Sequence, residues 1–336
     1  MQVVFLNTFE KTDSDNGAVG QAQLSICEQN GVWSVIWTDS AQAQGEEQFV
    51  WYEGGSWEEM MTAFRHGVSV QMGEGFSPLI DGMLEDRRSS EGSGTLYSMI
   101  QCYGEMNGDA DLFEALREWR RSKAVAIKKS AYLVATNRML WMISAFVPQK
   151  PEELLQIPGW GESKQAGYGE EVLAITQAFQ RETQFPLDWV AEILDPKSYT
   201  KWMFKQKENK YKAQMSRQQE KRELLRAIAE GKSIEELQMQ IELPRRDLME
   251  RIERLDSEGY DLEPLIEKEL SSMPESEQQL VWNALGTIGD RYLKPVLHQV
   301  YGVEVSQGRG KSVDLLYDRL RLIRLRYRRS KSSHVS

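Results

Sequence analysis

The sequence predicts an α+β protein in which a small N-terminal antiparallel sheet domain precedes a long all-α remainder. Three observations carry this prediction. Apolar runs of strand length flank an Asn30-Gly31 dipeptide, apolar residues recur every three or four positions from Asp111 onward, and a Gly- and Ser-rich stretch at 87–95 separates the two patterns. The 336 residues fit two or three domains of about 100 to 200 residues each.

Residues 1–88 form the predicted sheet domain, which is rich in β structure and in acidic residues. Asn-Gly tolerates the positive φ angles of a type I′ turn, so residues 24–29 and 32–37 are predicted to form a hairpin. Another apolar run then precedes Ser56 and Glu59, whose spacing is typical of a capping box at the start of a helix.

The net charge of −10 is distributed unevenly along the chain. Residues 1–110 contain 17 acidic and 4 basic residues, whereas residues 111–336 contain 34 acidic and 37 basic ones. The acidic character thus belongs to the N-terminal third, and a nucleic-acid-binding surface remains possible in the rest of the chain.

No apolar run reaches the length of a signal peptide or a membrane span, which predicts a cytoplasmic protein without membrane contact. Cys27 and Cys102 lie far apart and outside any Cys-x-x-Cys spacing, so neither a disulfide framework nor a thiolate zinc site is indicated. We expect no metal and no cofactor.

The sequence does not predict an enzyme. Two Gly-Lys-Ser triplets, at 231 and 310, lack the leading glycine of a P-loop, because Arg226 and Val305 stand five residues earlier. The three histidines do not form a metal-ligand pattern, and no Gly-x-Ser-x-Gly elbow is present. A carboxylate dyad among the plentiful acids stays open.

A glycine-rich turn lies between two predicted helices in the middle of the chain. Gly159 and Gly161 flank Trp160, and Lys164 follows in the first turn of the next helix. Glycines allow close backbone approach, and the amides at a helix start can bind a phosphate oxygen. A tight helix–helix turn without a ligand fits the same pattern equally well.

Residues 109–183 resemble the HRDC domain, the helicase-and-RNase-D C-terminal module of RecQ-type helicases and ribonuclease D. The matching features are residues 111–117, a basic segment before Tyr132, Asn137 with Leu140, residues 151–155, and the turn that ends in Lys164 and Tyr168-Gly169. In HRDC domains a proline often precedes the aromatic residue at the position of Tyr132, where this sequence has Ser130-Ala131. The resemblance implies a compact five-helix bundle that binds DNA or RNA weakly through basic and polar residues.

The resemblance also implies which side chains contact nucleic acid, although a solvated helix face is the common alternative for such a charge run. The predicted contact residues of this module are Arg121, Lys123, Lys128, Lys129, Tyr132, Arg138, Gly159, Gly161 and Lys164.

Residues 217–260 are predicted to form a helix-turn-helix. Together with the helical region at 261–330 and its basic tail, they are similar to the region that accompanies HRDC in bacterial RecQ-like helicases. In that arrangement Arg245, Arg246 and Arg251 of the third helix would face DNA. Acidic residues share this helix, and a three-helix packing unit without DNA contact is the alternative.

Residues 184–216 are predicted as a basic aromatic linker. Between residues 197 and 222 there are nine Lys or Arg and two Glu, interleaved with aromatic residues such as Trp202 and Phe204. These rings could stack on single-stranded bases while the lysines follow the backbone, or the segment could be an amphipathic helix that docks on a partner.

Taken together, the sequence predicts a non-catalytic nucleic-acid-binding accessory protein, with DNA favoured over RNA. Its expected partners are single-stranded or structured DNA and a helicase or repair protein, in recombination, repair or replication. The alternative is a protein-interaction scaffold whose HRDC bundle does not bind nucleic acid.

Overall fold

A computed structural model describes residues 1–12, 19–39, 47–80, 93–304 and 311–333 of the protein. The chain divides into two compact units, Met1–Met215 and Ser216–Ser336. The predicted α+β fold class is confirmed, since a sheet precedes a mainly helical chain. Most of the linker predicted at 87–95 lies outside the described residues.

Unit 1 begins with an antiparallel sheet. Its strands within the described residues are β1 Gln2–Thr12, β2 Val19–Gln29, β3 Val32–Asp39, β4 Glu47–Gly54 and β5 Ser77–Pro78, in the order β4-β3-β2-β1-β5. The predicted hairpin joins β2 to β3. Asn30 and Gly31 turn the chain with φ angles of +52° and +80°, as a type I′ turn requires.

Helix α1, Trp57–Gly73, packs against the sheet. The Ser56 hydroxyl accepts a hydrogen bond of 3.3 Å from the Glu59 amide, as the predicted cap requires. A side chain at Gly67 would overlap the indole of Trp51, so this glycine lets the helix approach β4 closely. Buried residues from both layers, including Phe9, Leu24, Val35, Trp37, Met60 and Val68, form the first core.

A helical bundle follows the sheet. Its elements are α2 Ser93–Asn107, α3 Ala110–Ala126, α4 Ala131–Val134, α5 Asn137–Phe146, α6 Pro151–Leu154, α7 Glu162–Thr176, a 3-10 turn at Leu187–Trp189, and α8 Val190–Ile193. The shared core includes Ile100 from α2 as well as Leu187 and Val190. The bundle therefore extends beyond the predicted limits of 109–183 at both ends.

The segment predicted as a linker at 184–216 is structured. Its first residues belong to the bundle core, and α9, Pro196–Ala229, begins within it and continues into unit 2. Phe204 and Tyr211, seven residues apart and thus on one side of the helix, are buried in the core of the sheet domain. The basic composition is typical of a linker, but the aromatic residues are those of a packed helix.

Unit 2 is helical and has one core within the described residues. After the end of α9 it contains α10 Ile234–Ile241, α11 Arg245–Ser257, α12 Glu263–Leu270, α13 Glu275–Ile288, α14 Leu293–Tyr301 and α15 Lys311–Ser333. The predicted helix-turn-helix at 217–260 and the region at 261–330 share this core, to which α15 contributes Leu320 and Ile323. They are parts of one unit rather than separate domains.

Candidate nucleic-acid interface

The α3–α4 segment, residues 121–133, carries four exposed residues of the predicted contact set. Helix α3 ends in a turn at Lys128, whose φ angle is +53°. The amides of Lys128 and Lys129 donate hydrogen bonds of 3.1 and 3.0 Å to the carbonyls of Val125 and Ala124. The backbone is thus satisfied internally, while both lysine side chains are exposed.

Three cations and one aromatic ring of this segment face solvent. Arg121 has a side chain that is 79% exposed, and its guanidinium lies 3.9 Å from Glu118. Neither Lys128 nor Lys129 has an ion pair with any residue that the structure describes. Tyr132 is 67% exposed. The segment therefore combines positive charge with an accessible ring.

Lys123 lies within the same segment but is engaged internally. Its ammonium pairs with the carboxylate of Glu171 and lies 5.6 Å from the ring centroid of Tyr168. Glu171 also accepts a hydrogen bond of 2.7 Å from the indole of Trp119. The hydrogen bond from Lys123 contributes most to lowering the pKa of the Glu171 carboxyl, and the one from Trp119 contributes next. Lys123 thus ties α3 to α7.

Lys164 also has an internal role. Its ammonium donates hydrogen bonds of 3.1 and 2.7 Å to the carbonyls of Leu133 and Val134, at the end of α4. Partial burial lowers the pKa of this amine. Lys164 therefore fixes α4 against α7.

In the glycine turn between α6 and α7, the backbone conformation requires glycine at Gly159 but not at Gly161. Gly159 has a φ angle of +85°, and an added Cβ would lie 2.5 Å from Cε of Met139. Gly161 caps α7 in an extended conformation with open space around it. Beside the turn is an apolar groove lined by Leu96, Tyr97, Ile100, Leu155, Ile157 and Trp160.

Arg138, at the start of α5, connects the bundle to α9. Its Nε donates a hydrogen bond of 2.7 Å to Glu105, and Nη2 donates one of 2.7 Å to the side-chain oxygen of Gln206. Glu105 accepts a further hydrogen bond of 2.7 Å from the indole of Trp202. Trp202 is thus held by the bundle, and Phe204 is buried, which favours the packed amphipathic helix over the alternative of stacking on bases.

In unit 2, the three predicted arginines of α11 do not form a common positive surface. Arg245 lies 2.5 Å from Asp318, and Arg251 lies 2.5 Å from Glu220. Arg246 is 80% exposed and pairs with Glu250 at 3.1 Å. The exposed charged positions of this helix are mixed in sign, with two acids, Asp247 and Glu250, between Arg246 and Arg254.

The basic tail of α15 is likewise neutralised within unit 2. Arg324 pairs with Glu253 at 2.9 Å, Arg328 with Asp290 at 2.7 Å, and Arg326 with Glu263. Residues 216–336 contain 21 acidic and 21 basic residues, so the net charge of −10 belongs to unit 1. Residues 109–183 contain ten of each sign. Any attraction of a polyanion to the bundle must therefore be local.

Comparison with known proteins identifies the bundle. Residues 109–176 match the family model of the HRDC domain. The chain contains an HRDC domain. HRDC domains are nucleic-acid-binding and protein-interaction modules associated with helicases, and this one covers roughly a fifth of the sequence. No curated protein and no solved structure matches the chain.

The α3–α4 segment and the glycine turn both belong to the HRDC domain. Two exposed apolar residues of that segment, Val125 and Leu133, were absent from the predicted contact set. Their positions outside the apolar repeat of the helices could have indicated them. Among the described residues there is no cluster of three or more potential metal ligands. None of the described helices has the length and hydropathy needed to cross a bilayer.

Proposed function

We propose that the protein is a non-catalytic accessory protein that binds single-stranded DNA through the α3–α4 segment of its HRDC domain. The observation that carries the proposal is the exposure of Arg121, Lys128, Lys129 and Tyr132 within a dozen residues. Arginine and lysine neutralise phosphates, and an exposed tyrosine can stack on an unpaired base.

The proposal assigns no reaction to the chain. The sequence lacks a P-loop, so a partner helicase or repair protein would supply the motor. Lys123, Arg138 and Lys164 are left out of the proposed contact surface, because their charges are used by groups of the same unit. DNA is preferred to RNA on the resemblance of the C-terminal region to DNA helicases.

Fluorescence anisotropy with labelled oligothymidine would test this proposal. If three phosphates are neutralised, affinity should fall roughly twentyfold between about 50 and 200 mM salt, because each contact with single-stranded DNA contributes about 0.7 to the salt slope. The double reversal Lys128→Glu/Lys129→Glu should abolish most of this binding. The matched reversal Lys150→Glu/Lys294→Glu, at two other exposed lysines, should preserve it.

The second candidate function is a protein-interaction scaffold. Val125 is 76% exposed and Leu133 is 53% exposed in the same segment, and exposed apolar residues in a cluster favour protein contacts. No binding of oligothymidine at low salt would reject the DNA proposal in favour of this one. Substitution of Val125 and Leu133 by Ser should then abolish capture of a helicase, with little dependence on salt.

A further inference from the structure

Four lysines form a row on the exposed side of α9 within unit 1. Lys197, Lys201, Lys205 and Lys212 are all exposed. With 3.6 residues per turn, their spacings of four, four and seven place them within about 80° of the helix circumference and along about 22 Å of its length. We call this set the lysine row.

The packed side chains of α9 hold the helix against two layers of unit 1. Trp202 and Tyr199 contact α2 of the helical bundle through hydrogen bonds with Glu105 and Ser98. Phe204 is buried in the sheet-domain core. Two layers of unit 1 thus hold the helix, while the four lysines stay exposed beside these contacts, with Lys205 and Lys212 near His66 of α1.

The positive charge of the lysine row is only partly compensated. Lys205 pairs with Glu208 at 2.7 Å, and Lys197 lies near Asp195. Lys201 and Lys212 have no ion pair with any of the described residues. Lys197, Lys201 and Lys205 follow each other at i, i+4 intervals, a spacing at which like charges destabilise a helix. A bound polyanion would relieve this repulsion.

Helix α9, which carries the lysine row, contacts the element that follows the proposed DNA-binding segment. Six residues after Tyr132, Arg138 at the start of α5 donates its hydrogen bond to Gln206 of α9. Gln206 follows Lys205 directly in sequence. A strand leaving the α3–α4 segment along α4 and α5 would therefore reach α9 at Gln206, and would pass about 100° around the helix to reach Lys205 of the lysine row.

We propose that the lysine row is a second phosphate-binding surface, which holds the backbone of a single-stranded nucleic acid whose other part lies on the α3–α4 segment. This inference rests on the proposed function. A lipid surface fits less well, because a helix that binds a bilayer presents apolar side chains to it, whereas the aromatic residues of α9 are packed inside the unit.

The test compares two labelled oligothymidines on the full chain, one of about 8 and one of about 24 nucleotides, since site sizes of roughly 4 to 16 nucleotides are typical of such grooves. The variant Lys201→Gln/Lys212→Gln removes the two lysines that lack carboxylate partners. The short oligonucleotide should bind this variant as it binds the wild type. The long one should bind at least fivefold more weakly, with a salt slope reduced by about 1.4.

The matched variant Lys150→Gln/Lys294→Gln should bind both oligonucleotides as the wild type does, and circular dichroism melting should show that all variants fold. If Lys201→Gln/Lys212→Gln binds the long oligonucleotide with unchanged affinity, the inference about the lysine row is overturned, and the proposed function is not affected. An unchanged affinity of Lys128→Glu/Lys129→Glu for the short one would overturn the proposed function, as would the absence of any wild-type binding. Binding to phosphatidylserine vesicles that depends on Lys201 and Lys212, without an effect on DNA, would replace the inference with a membrane contact.

Discussion

The ammonium group of Lys164 donates a hydrogen bond of 2.7 Å to the carbonyl oxygen of Val134. This contact joins the first turn of α7 to the end of α4, across 30 positions of sequence. A lysine in the turn of an HRDC domain is therefore part of the fold here, and its charge is directed at a backbone carbonyl of the same bundle.

Replacement of Lys164 by Met should lower the free energy of unfolding by about 1 to 2 kcal/mol, because two carbonyls lose a charged donor. The affinity for oligothymidine should stay unchanged. Lys129→Met should instead weaken binding and leave stability unchanged. Its unfolding free energy should lie within about 0.5 kcal/mol of wild type, and the salt slope of its oligothymidine binding should be lower by about 0.7. Urea denaturation and anisotropy measure the two effects. A loss of affinity without a loss of stability in Lys164→Met would contradict the assignment.

The two glycines of the turn should respond differently to alanine. Gly159→Ala should cost about 1 to 3 kcal/mol of unfolding free energy, because the φ angle is positive and the new Cβ would meet Met139. Gly161→Ala, in open space with a negative φ angle, should change it by less than about 1 kcal/mol. Thermal unfolding of both variants tests the difference, and equal losses would show that the strain does not lie at Gly159.

Arg245→Ala should destabilise unit 2 by about 3 kcal/mol, since it leaves the buried carboxylate of Asp318 without its partner. Arg246→Ala, which breaks an exposed pair, should cost less than about 1 kcal/mol. Burial raises the pKa of Asp318, and Arg245 opposes that rise. Without Arg245 the folded pKa should rise further, so the folded state binds the proton more strongly than the unfolded chain does.

The loss in Arg245→Ala should therefore shrink as the pH falls from 7 towards 3.8, the ordinary value of the Asp318 carboxyl. The difference in unfolding free energy between wild type and variant, measured in urea at several pH values, reports this effect. A difference that is independent of pH would mean that Asp318 is not the group left uncompensated.

Glu236 should contribute a pH-dependent part of the stability of unit 2. A hydrogen bond from the Ser233 amide, together with Lys268, lowers the pKa of Glu236 from 4.5 to about 2. A carboxyl with a lowered folded pKa stabilises the fold above its unfolded pKa and loses this contribution as the pH falls through the folded value. The deficit of Glu236→Gln should thus be constant above pH 4.5 and disappear towards pH 2.

The matched substitution for this experiment is Glu235→Gln, at an exposed carboxylate that has no hydrogen bond or ion pair within the described part of the chain. Its unfolding free energy should follow that of the wild type across the same pH range. A pH-dependent deficit of similar size in both variants would show that overall charge, and not the helix cap, causes the effect.

Local signals predicted much of the fold, because the interacting groups lie within a few residues of each other. The Asn30-Gly31 turn and the cap at Ser56 belong to this class. Local sequence could not show which of the predicted nucleic-acid contact residues are free to bind. Glu171 is 48 positions from Lys123, so a charge that looks free in the sequence is paired in the structure.

The arginines of α15 are also paired with acidic residues that lie far away in the sequence. Arg324 meets Glu253 across 71 positions and Arg328 meets Asp290 across 38. A run of arginines is typical of polyanion binding, and only the packing of α15 among acidic helices shows that the charges are balanced. The contact residues of the α3–α4 segment were predicted from the resemblance to the HRDC domain, and the structure leaves Lys128 and Lys129 without an ion pair among the described residues.

The burial of Phe204 and Tyr211 in the sheet-domain core affects the order in which the protein can fold during synthesis. The last described strand of the sheet ends at Pro78, yet this core is complete only when Tyr211 has been made. At translation rates of roughly 5 to 20 residues per second, the nascent sheet must wait on the order of ten seconds for its missing aromatic residues. Its exposed apolar surface would be a natural substrate for a ribosome-associated chaperone during that interval.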